Sequence, residues 1–321
     1  MRILVTGGSG FIGSHLCERL ISEGHTVTAI DNFSTGQASN LASLAGAANF
    51  TLLEGSILDT KVLNPLVNSA DYVFHLAAAV GVFNIVNNPL ASLLTNIRGT
   101  ENVLEAAYAA NTPVFLTSSS EVYGKNISDS LKESDDRILG SPVTLRWSYS
   151  EAKAIDESLA YAYFVEKCLE TRIIRFFNTV GPRQLGAYGM VVPRFVKAAL
   201  ANQPITIYGD GNQTRCFAHV YDVIDAVLAI AFAENTIGKV INIGNDFEIS
   251  INGLANKIIG ETGSTSEIIY VPYAEAYGDG FEDMERRVPN IELINQLVGW
   301  KPKRDLSTMI ADISAQMKKG S

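Results

Sequence analysis

Tyr149 and Lys153, four residues apart, are the pair in this sequence whose types and spacing most directly suggest chemistry. On a helix that spacing projects both side chains from one face. A phenol with an ordinary pKa of about 10 is a poor base at neutral pH. A neighbouring ammonium favours phenolate and brings the phenol towards the working range, so Tyr149 is expected to donate and accept a proton. Such pairs also arise by chance, so the reading depends on what accompanies this one. Ser118-Ser119-Ser120-Glu121 closes the apolar segment that ends at Thr117, and open α/β sheets gather ligands at the carboxyl ends of their strands.

A second constellation lies at the start of the chain. The strand-like run Ile3-Leu4-Val5-Thr6 leads into Gly7-Gly8-Ser9-Gly10-Phe11-Ile12-Gly13, with a helical pattern opening behind it. Strand, glycine turn and helix N-terminus together let backbone approach a pyrophosphate and offer it free N–H groups at a positive dipole end. Asp31 ends the next strand, where a carboxylate can accept the hydroxyls of an adenosine ribose. That carboxylate would repel a 2′-phosphate, and Asn32-Phe33 supplies no arginine to hold one. The expected cofactor is NAD rather than NADP, and its positive nicotinamide would further favour the Tyr149 phenolate.

These residues need a frame. Apolar runs at residues 3–6, 26–30, 50–53, 72–76, 113–117 and 171–176 alternate with helical patterns at 11–23, 90–110 and 149–166. Continuously apolar strands separated by helices are buried on both faces of a parallel sheet. The spacing therefore predicts an α/β fold, a Rossmann-type doubly wound parallel sheet over residues 1–178. After about residue 180 the chain is punctuated by Gly181-Pro182, Gly186, Gly189 and Gly209-Asp210-Gly211, which suggests that residues 179–321 form mainly a smaller substrate-binding domain. The apolar run at 240–244 is expected to rejoin the main sheet. With 321 residues, 47% hydrophobic and 18% charged, the chain can bury large cores. A net charge of −9 without a basic stripe opposes nucleic-acid binding. No apolar stretch reaches the roughly 18 residues of a membrane span. The opening residues lack a secretory pattern, so a cytoplasmic protein is expected. Cys17, Cys168 and Cys216 are scattered, as are the four histidines; neither metal nor disulfide is expected.

With these motifs the chain resembles the extended short-chain dehydrogenase/reductase family. Gly55-Ser56-Ile57-Leu58-Asp59 is similar to the family's adenine-contacting segment, His75-Leu76-Ala77-Ala78 to its fourth-strand segment, and Asn96 to an asparagine near the nicotinamide ribose. The resemblance implies a cofactor site made by Gly7, Gly10, Phe11, Ile12 and Gly13 of the turn. Asp31, Asn32, Ser34 and Gly36 would follow at the second strand end. Ser56, Ile57, Leu76, Ala77, Ala78, Asn96 and Phe177 would complete it with Tyr149 and Lys153. By the same match Ser119 shares the substrate hydroxyl proton with Tyr149, with Ser120 and Glu121 beside them.

The second half resembles the nucleotide-sugar branch of that family. Arg175-Phe176-Phe177-Asn178 looks like the segment whose asparagine holds a substrate diphosphate, and Tyr208 through Arg215 like the segment that packs on the nucleobase and pairs an arginine with phosphate. Arg287 matches a second diphosphate arginine, and Val192 and Arg194 complete the implied substrate set. Guanidinium groups suit phosphate, and an acidic protein needs such local cations for an anionic ligand. The implied cycle oxidises a UDP-sugar at C4 and reduces it again, with no net redox change. A homodimer through the two long helices is implied as well.

Glu121 separates the possible outcomes. Many 4-epimerases of the family carry a small residue there, whereas decarboxylases and dehydratases carry Glu, and dehydratases precede it with an Asp where this chain has Ser120. The expectation is a UDP-glucose or UDP-glucuronate 4-epimerase, because Arg146-Trp147-Ser148 and the run from Met190 to Phe195 depart from the usual decarboxylase pattern. UDP-glucuronate decarboxylase (UDP-xylose synthase) is the alternative, and a non-catalytic NAD-binding sensor or scaffold is a third reading. Glu121 has an alternative of its own, as a cap on backbone N–H groups.

Overall fold

The structure is a computed structural model that describes residues 1–81, 87–186, 190–273, 275, 284 and 286–319. Gly189, one of the loop glycines, lies outside them.

The strands of the first half are β1 (Arg2–Thr6), β2 (Thr26–Asp31), β3 (Phe50–Glu54), β4 (Tyr72–His75), β5 (Val114–Ser119) and β6 (Thr171–Phe176). Those of the second half are β7 (Thr179–Val180), β8 (Ile205–Tyr208), β9 (Thr214–Cys216), β10 (Ala218–His219), β11 (Val240–Ile243), β12 (Glu248–Ser250) and β13 (Ile268–Val271). Among the described residues, seven form one sheet in the order β11-β6-β5-β4-β1-β2-β3, every pair parallel. The order reverses between β1 and β4, and the crevice at that switch point is where such sheets bind ligands.

Among the described residues the α-helices are α1 (Phe11–Ser22), α2 (Thr60–Ser69), α3 (Pro89–Ala110), α4 (Ser148–Lys167), α5 (Val191–Leu200), α6 (Val220–Ala231), α7 (Ile251–Thr262), α8 (Glu292–Val298) and α9 (Leu306–Lys319). Strand alternation divides the core by face. Ile3, Val5, Val27, Phe74, Phe115 and Ile174 pack with α1, α6 and α8 on one side. Leu4, Ile30, Val73, Leu116 and Ile173 pack with α2, α3 and α4 on the other. Both faces are covered, which explains why the strands read as unbroken apolar runs. The second lobe has its own core, where Val192, Phe195, Leu254, Ile258, Met309 and Ile313 bring α5, α7 and α9 together.

The main lobe takes back more than a strand from the second half. β11 pairs with β6 in register Val240 to Ile173, and α6 and α8 pack against the same sheet. The chain therefore crosses between lobes several times, and these crossings set the floor and the cover of one cleft. No helix among the described residues is long and apolar enough to cross a membrane.

Candidate active site

One cavity of about 530 Å³ runs from the β1 turn, past the carboxyl ends of β4 and β5, to the second lobe. At the turn Gly7, Gly10, Phe11, Ile12 and Gly13 line the wall. A Cβ on Gly13 would stand 2.2 Å from the Gly7 carbonyl oxygen, so only glycine lets the helix start this close to the turn. Gly10 caps α1 without any side-chain cap, and the first turn carries no acidic residue, which leaves the helix N-terminus to an anion. The Asp31 carboxylate accepts the Ser9 N–H at 2.9 Å through Oδ2 and the Phe33 N–H at 2.9 Å through Oδ1. Fixed by backbone and buried, it is aimed rather than free to rotate, and its other lone pairs can receive ribose hydroxyls. Anion cradle and fixed carboxylate together fit a dinucleotide.

Asn32, Ser34, Ser56, Ile57, Leu76, Ala77 and Ala78 line the same wall. Three expected cofactor residues do not. Gly36 sits behind Asp31, where a Cβ would be 2.8 Å from Oδ2, so it shapes the carboxylate. Asn96 is buried in α3 and clamps the backbone of Ala79, accepting its N–H at 2.7 Å and donating to its carbonyl at 3.3 Å. It holds the loop after β4 in place. Phe177 is fully buried with Val122, Tyr123 and Leu131, while Phe176 faces the cavity; adjacent residues of an extended chain point opposite ways, and the expectation took the wrong one.

At the middle of the cleft Ser119, Ser120, Glu121, Tyr149 and Lys153 converge. Ser119 ends β5 and its hydroxyl accepts the Glu121 N–H at 3.2 Å, which fixes a short 3₁₀ turn over Ser120–Tyr123. The Ser119 side chain neighbours Tyr149 in the cavity and on its own favours the phenolate. Lys153 Nζ donates to the Thr117 carbonyl at 3.1 Å and to Asp156 Oδ2 at 3.1 Å.

Burial, then the Glu121 and Asp156 carboxylates, push the Tyr149 phenol above its ordinary value, so the protein does not by itself make it acidic. The ammonium intended to lower it is already matched by Asp156.

Glu121 is held by two buried arginines, Arg287 Nη1 at 2.8 Å from Oε1 and Arg146 Nη1 at 2.6 Å from Oε2. Despite the desolvation penalty of its own burial, those cations hold its carboxyl well below the usual range. The two arginines favour its ionised form over that of a proton donor, and its bonds run to arginine side chains rather than to backbone N–H groups as a cap's would. Arg287 also donates to Ser120 Oγ at 3.2 Å. The structure thus places Arg287, expected at a diphosphate, against the Glu121 end of the cleft.

The second lobe supplies the far wall with Asn178, Val192, Arg194, Tyr208 and Arg215. The Arg194 guanidinium lies over the Tyr208 ring at 4.2 Å and donates to the Thr206 carbonyl at 3.1 Å. Arg215 donates to the Thr214 carbonyl at 2.7 Å, and Asn178 Nδ2 to the Cys216 carbonyl at 2.9 Å. Sequence reasoning missed two neighbours of the reacting groups, Arg146 as a partner of Glu121 and Asp156 as a partner of Lys153. Asp156 had a signal, since positions 149, 153 and 156 form one helical stripe.

A doubly wound sheet with a dinucleotide cradle at its switch point, and a Tyr–Lys–Ser group one strand away, defines an enzyme that oxidises and reduces carbinols with a nicotinamide cofactor. The comparisons agree: residues 3–244 match the NAD dependent epimerase/dehydratase family, and the chain belongs to that family. It is 41% identical over 94% of its length to UDP-N-acetyl-alpha-D-glucosaminuronate decarboxylase of Bacillus cytotoxicus, covering 92% of that protein. It is 36% identical over 94% of its length to UDP-glucuronic acid decarboxylase 1 of Xenopus tropicalis, covering 68% of it. The structure of UDP-glucuronic acid 4-epimerase from Bacillus cereus, in complex with UDP-glucuronic acid and NAD, superposes with a TM-score of 0.90 at 29% identity over the whole of both chains. The chain is an NAD-dependent enzyme of the nucleotide-sugar epimerase and decarboxylase group.

Proposed function

We propose that this protein is a UDP-hexuronate decarboxylase, the reading that sequence reasoning kept as its alternative to 4-epimerisation. The observation that carries it is the Arg146–Glu121–Arg287 cluster beside Ser120. An ionised Glu121 cannot protonate a leaving hydroxyl, which disfavours dehydration. Arg287, held by Glu121 at the cavity wall, suits the extra carboxylate that distinguishes a hexuronate from a hexose. The two curated relatives described above are named as decarboxylases, and the first makes the 2-N-acetylated hexuronate the foremost substrate to try.

The β1 turn and Asp31 would hold NAD, which would supply the hydride acceptor for C4 of the sugar and later the donor. The protein's residues do the rest. Tyr149, as phenolate, takes the C4 hydroxyl proton at its Oη while Ser119 hydrogen-bonds the same oxygen. The resulting C4 ketone is β to the C6 carboxylate. Breaking the C5–C6 bond releases carbon dioxide and leaves the electron pair delocalised onto O4, where the protonated Tyr149 and Ser119 donate hydrogen bonds. A proton from solvent water adds to C5 in place of the lost carboxylate, and Tyr149 returns its own to O4 when the ketone is reduced. Asn178, Arg215 and Arg194 are assigned to the nucleoside diphosphate and Tyr208 to its base.

Fold likeness to a UDP-glucuronic acid 4-epimerase sustains 4-epimerisation as a second reading. Incubation with UDP-N-acetylglucosaminuronate, UDP-glucuronate and UDP-glucose, followed by NMR of the sugar, tests the proposal. A UDP-pentose from either uronate supports it; an inverted C4 with C6 intact defeats it. The proposal includes a homodimer through α3 and α4, whose outer surfaces expose Tyr108, Ile155, Tyr161 and Val165; light scattering at the monomer mass would remove that part.

A further inference from the structure

Asp156 has no assigned role in the chemistry above, yet it is fully buried one turn beyond the catalytic lysine. Its Oδ2 lies 3.1 Å from Lys153 Nζ, and Lys153 is itself 2% exposed. Asp156 Oδ1 is buried and takes no hydrogen bond among the described residues; on α3 the Thr100 hydroxyl is bonded at 3.1 Å to His75 Nε2. His75 Nδ1 in turn meets Thr6 Oγ1 at 2.8 Å, and that oxygen accepts the Ala77 N–H at 3.1 Å beside the cofactor wall. A buried polar chain therefore runs from β1 through β4 to α3, and the buried charge of Asp156 is met by Lys153.

We propose that Asp156 is the resident counter-ion of Lys153, a positioning residue that pins the ammonium below the cleft and cancels its field at the Tyr149 hydroxyl. Three features favour this over a purely structural pair. Positions 149, 153 and 156 occupy one stripe of α4, so the carboxylate lies on the same face as the phenol. Lys153 is held from two directions, by Thr117 and by Asp156, so its position is fixed. The other charged groups nearby are spoken for: Glu157 pairs with Arg175 at 2.8 Å, Glu121 with Arg146 and Arg287, and His75 stays neutral because burial pushes its pKa down to about 3. Asp156 adds to the upward push on the phenol. The consequence is a phenol that keeps its proton at the keto stage and donates it to O4. This holds for decarboxylation and epimerisation alike, and rests only on Tyr149 being the acid/base.

The test is the isosteric Asp156→Asn variant, with two readouts. The acid limb of the kcat/KM pH profile should move to lower pH by roughly half a unit or more, because a negative charge near the phenol has gone. Tyrosinate absorbance of the protein without NAD, taken as the difference from Tyr149→Phe, should shift in the same direction. Should Asp156→Asn fail to fold, Asp156→Ser, which leaves room for water at Lys153, takes the same absorbance titration. A lowered melting temperature with both titrations unmoved overturns the proposal, since a merely structural pair behaves that way. If Tyr149→Phe keeps the parent rate, the acid/base assignment and this inference fall together. If it is inactive and the Asp156→Asn titrations match the parent, the counter-ion role alone is lost.

Discussion

Replacing Glu121 removes an anion that sits between two buried guanidinium groups. Its oxygens lie 2.6 Å from Arg146 and 2.8 Å from Arg287, whose side chains are 7% and 6% exposed. Removing one member of a buried ion pair costs about 3–5 kcal/mol, because the remaining charge is left uncompensated. Glu121 is 17% exposed, so water and the arginines can relax in part, and the lower end of about 3 kcal/mol applies to Glu121→Gln. At about 2.1 cal/mol/K per residue, a chain of 321 residues unfolds with an entropy of about 0.7 kcal/mol/K, so the melting temperature should fall by roughly 4 °C. Glu121→Ala should fall at least as far, but the space it opens between two cations should bind a small carboxylate. Formate at tens of millimolar should then recover about 1–2 °C in that variant and none in the parent. Differential scanning calorimetry with and without formate is the assay. Melting temperatures within 1 °C of the parent for both variants, with no formate effect, would refute the clamp.

Other outcomes follow from the same geometry. Tyr149→Phe should bind NAD as the parent does, by titration calorimetry, while turnover falls by about 10²–10⁴; a near-parental rate would remove Tyr149 from the mechanism. Asp31→Ser should weaken NAD at least about tenfold, since a charge-assisted bond to the ribose is worth about 1.5–3 kcal/mol, and should narrow the preference over NADP. An unchanged preference would show that Asp31 does not read the ribose. Burial lowers the pKa of His15 to about 4 and of His75 to about 3. Between those values and the ordinary value of about 6.5, the unfolded chain takes up protons that the folded chain refuses, so stability is lost as pH falls. At about 1.4 kcal/mol per pH unit for each histidine, urea unfolding at pH 5.5 should give roughly 2–3 kcal/mol less stability than at pH 7.5; a flat profile contradicts the buried neutral state of these rings.

The elements that the sequence announces are those whose cause is local. Unbroken apolar runs such as Leu4-Val5 or Ile173-Ile174 follow from burial on both faces of a parallel sheet, and Gly13 from a helix start that a Cβ would block. Tyr149 and Lys153 are readable because one helix carries both. What stayed hidden depends on pairings between distant segments. Nothing in the run before Tyr149 says that Arg146 closes on Glu121, or that Arg287, from the far end of the second lobe, completes the clamp. Arg146, which as sequence is only a departure from the usual decarboxylase run, becomes half of that clamp in the structure. Phe176 and Phe177 show a different gap, because apolarity alone does not say which of two adjacent aromatics faces a cleft.

The central claim, loss of C6 at the keto stage, is tested most directly with a UDP-hexuronate labelled with ¹³C at C6. The account predicts labelled carbon dioxide or bicarbonate in step with an unlabelled UDP-pentose, and no net NADH. A product that keeps the label in the sugar while C4 inverts would contradict it.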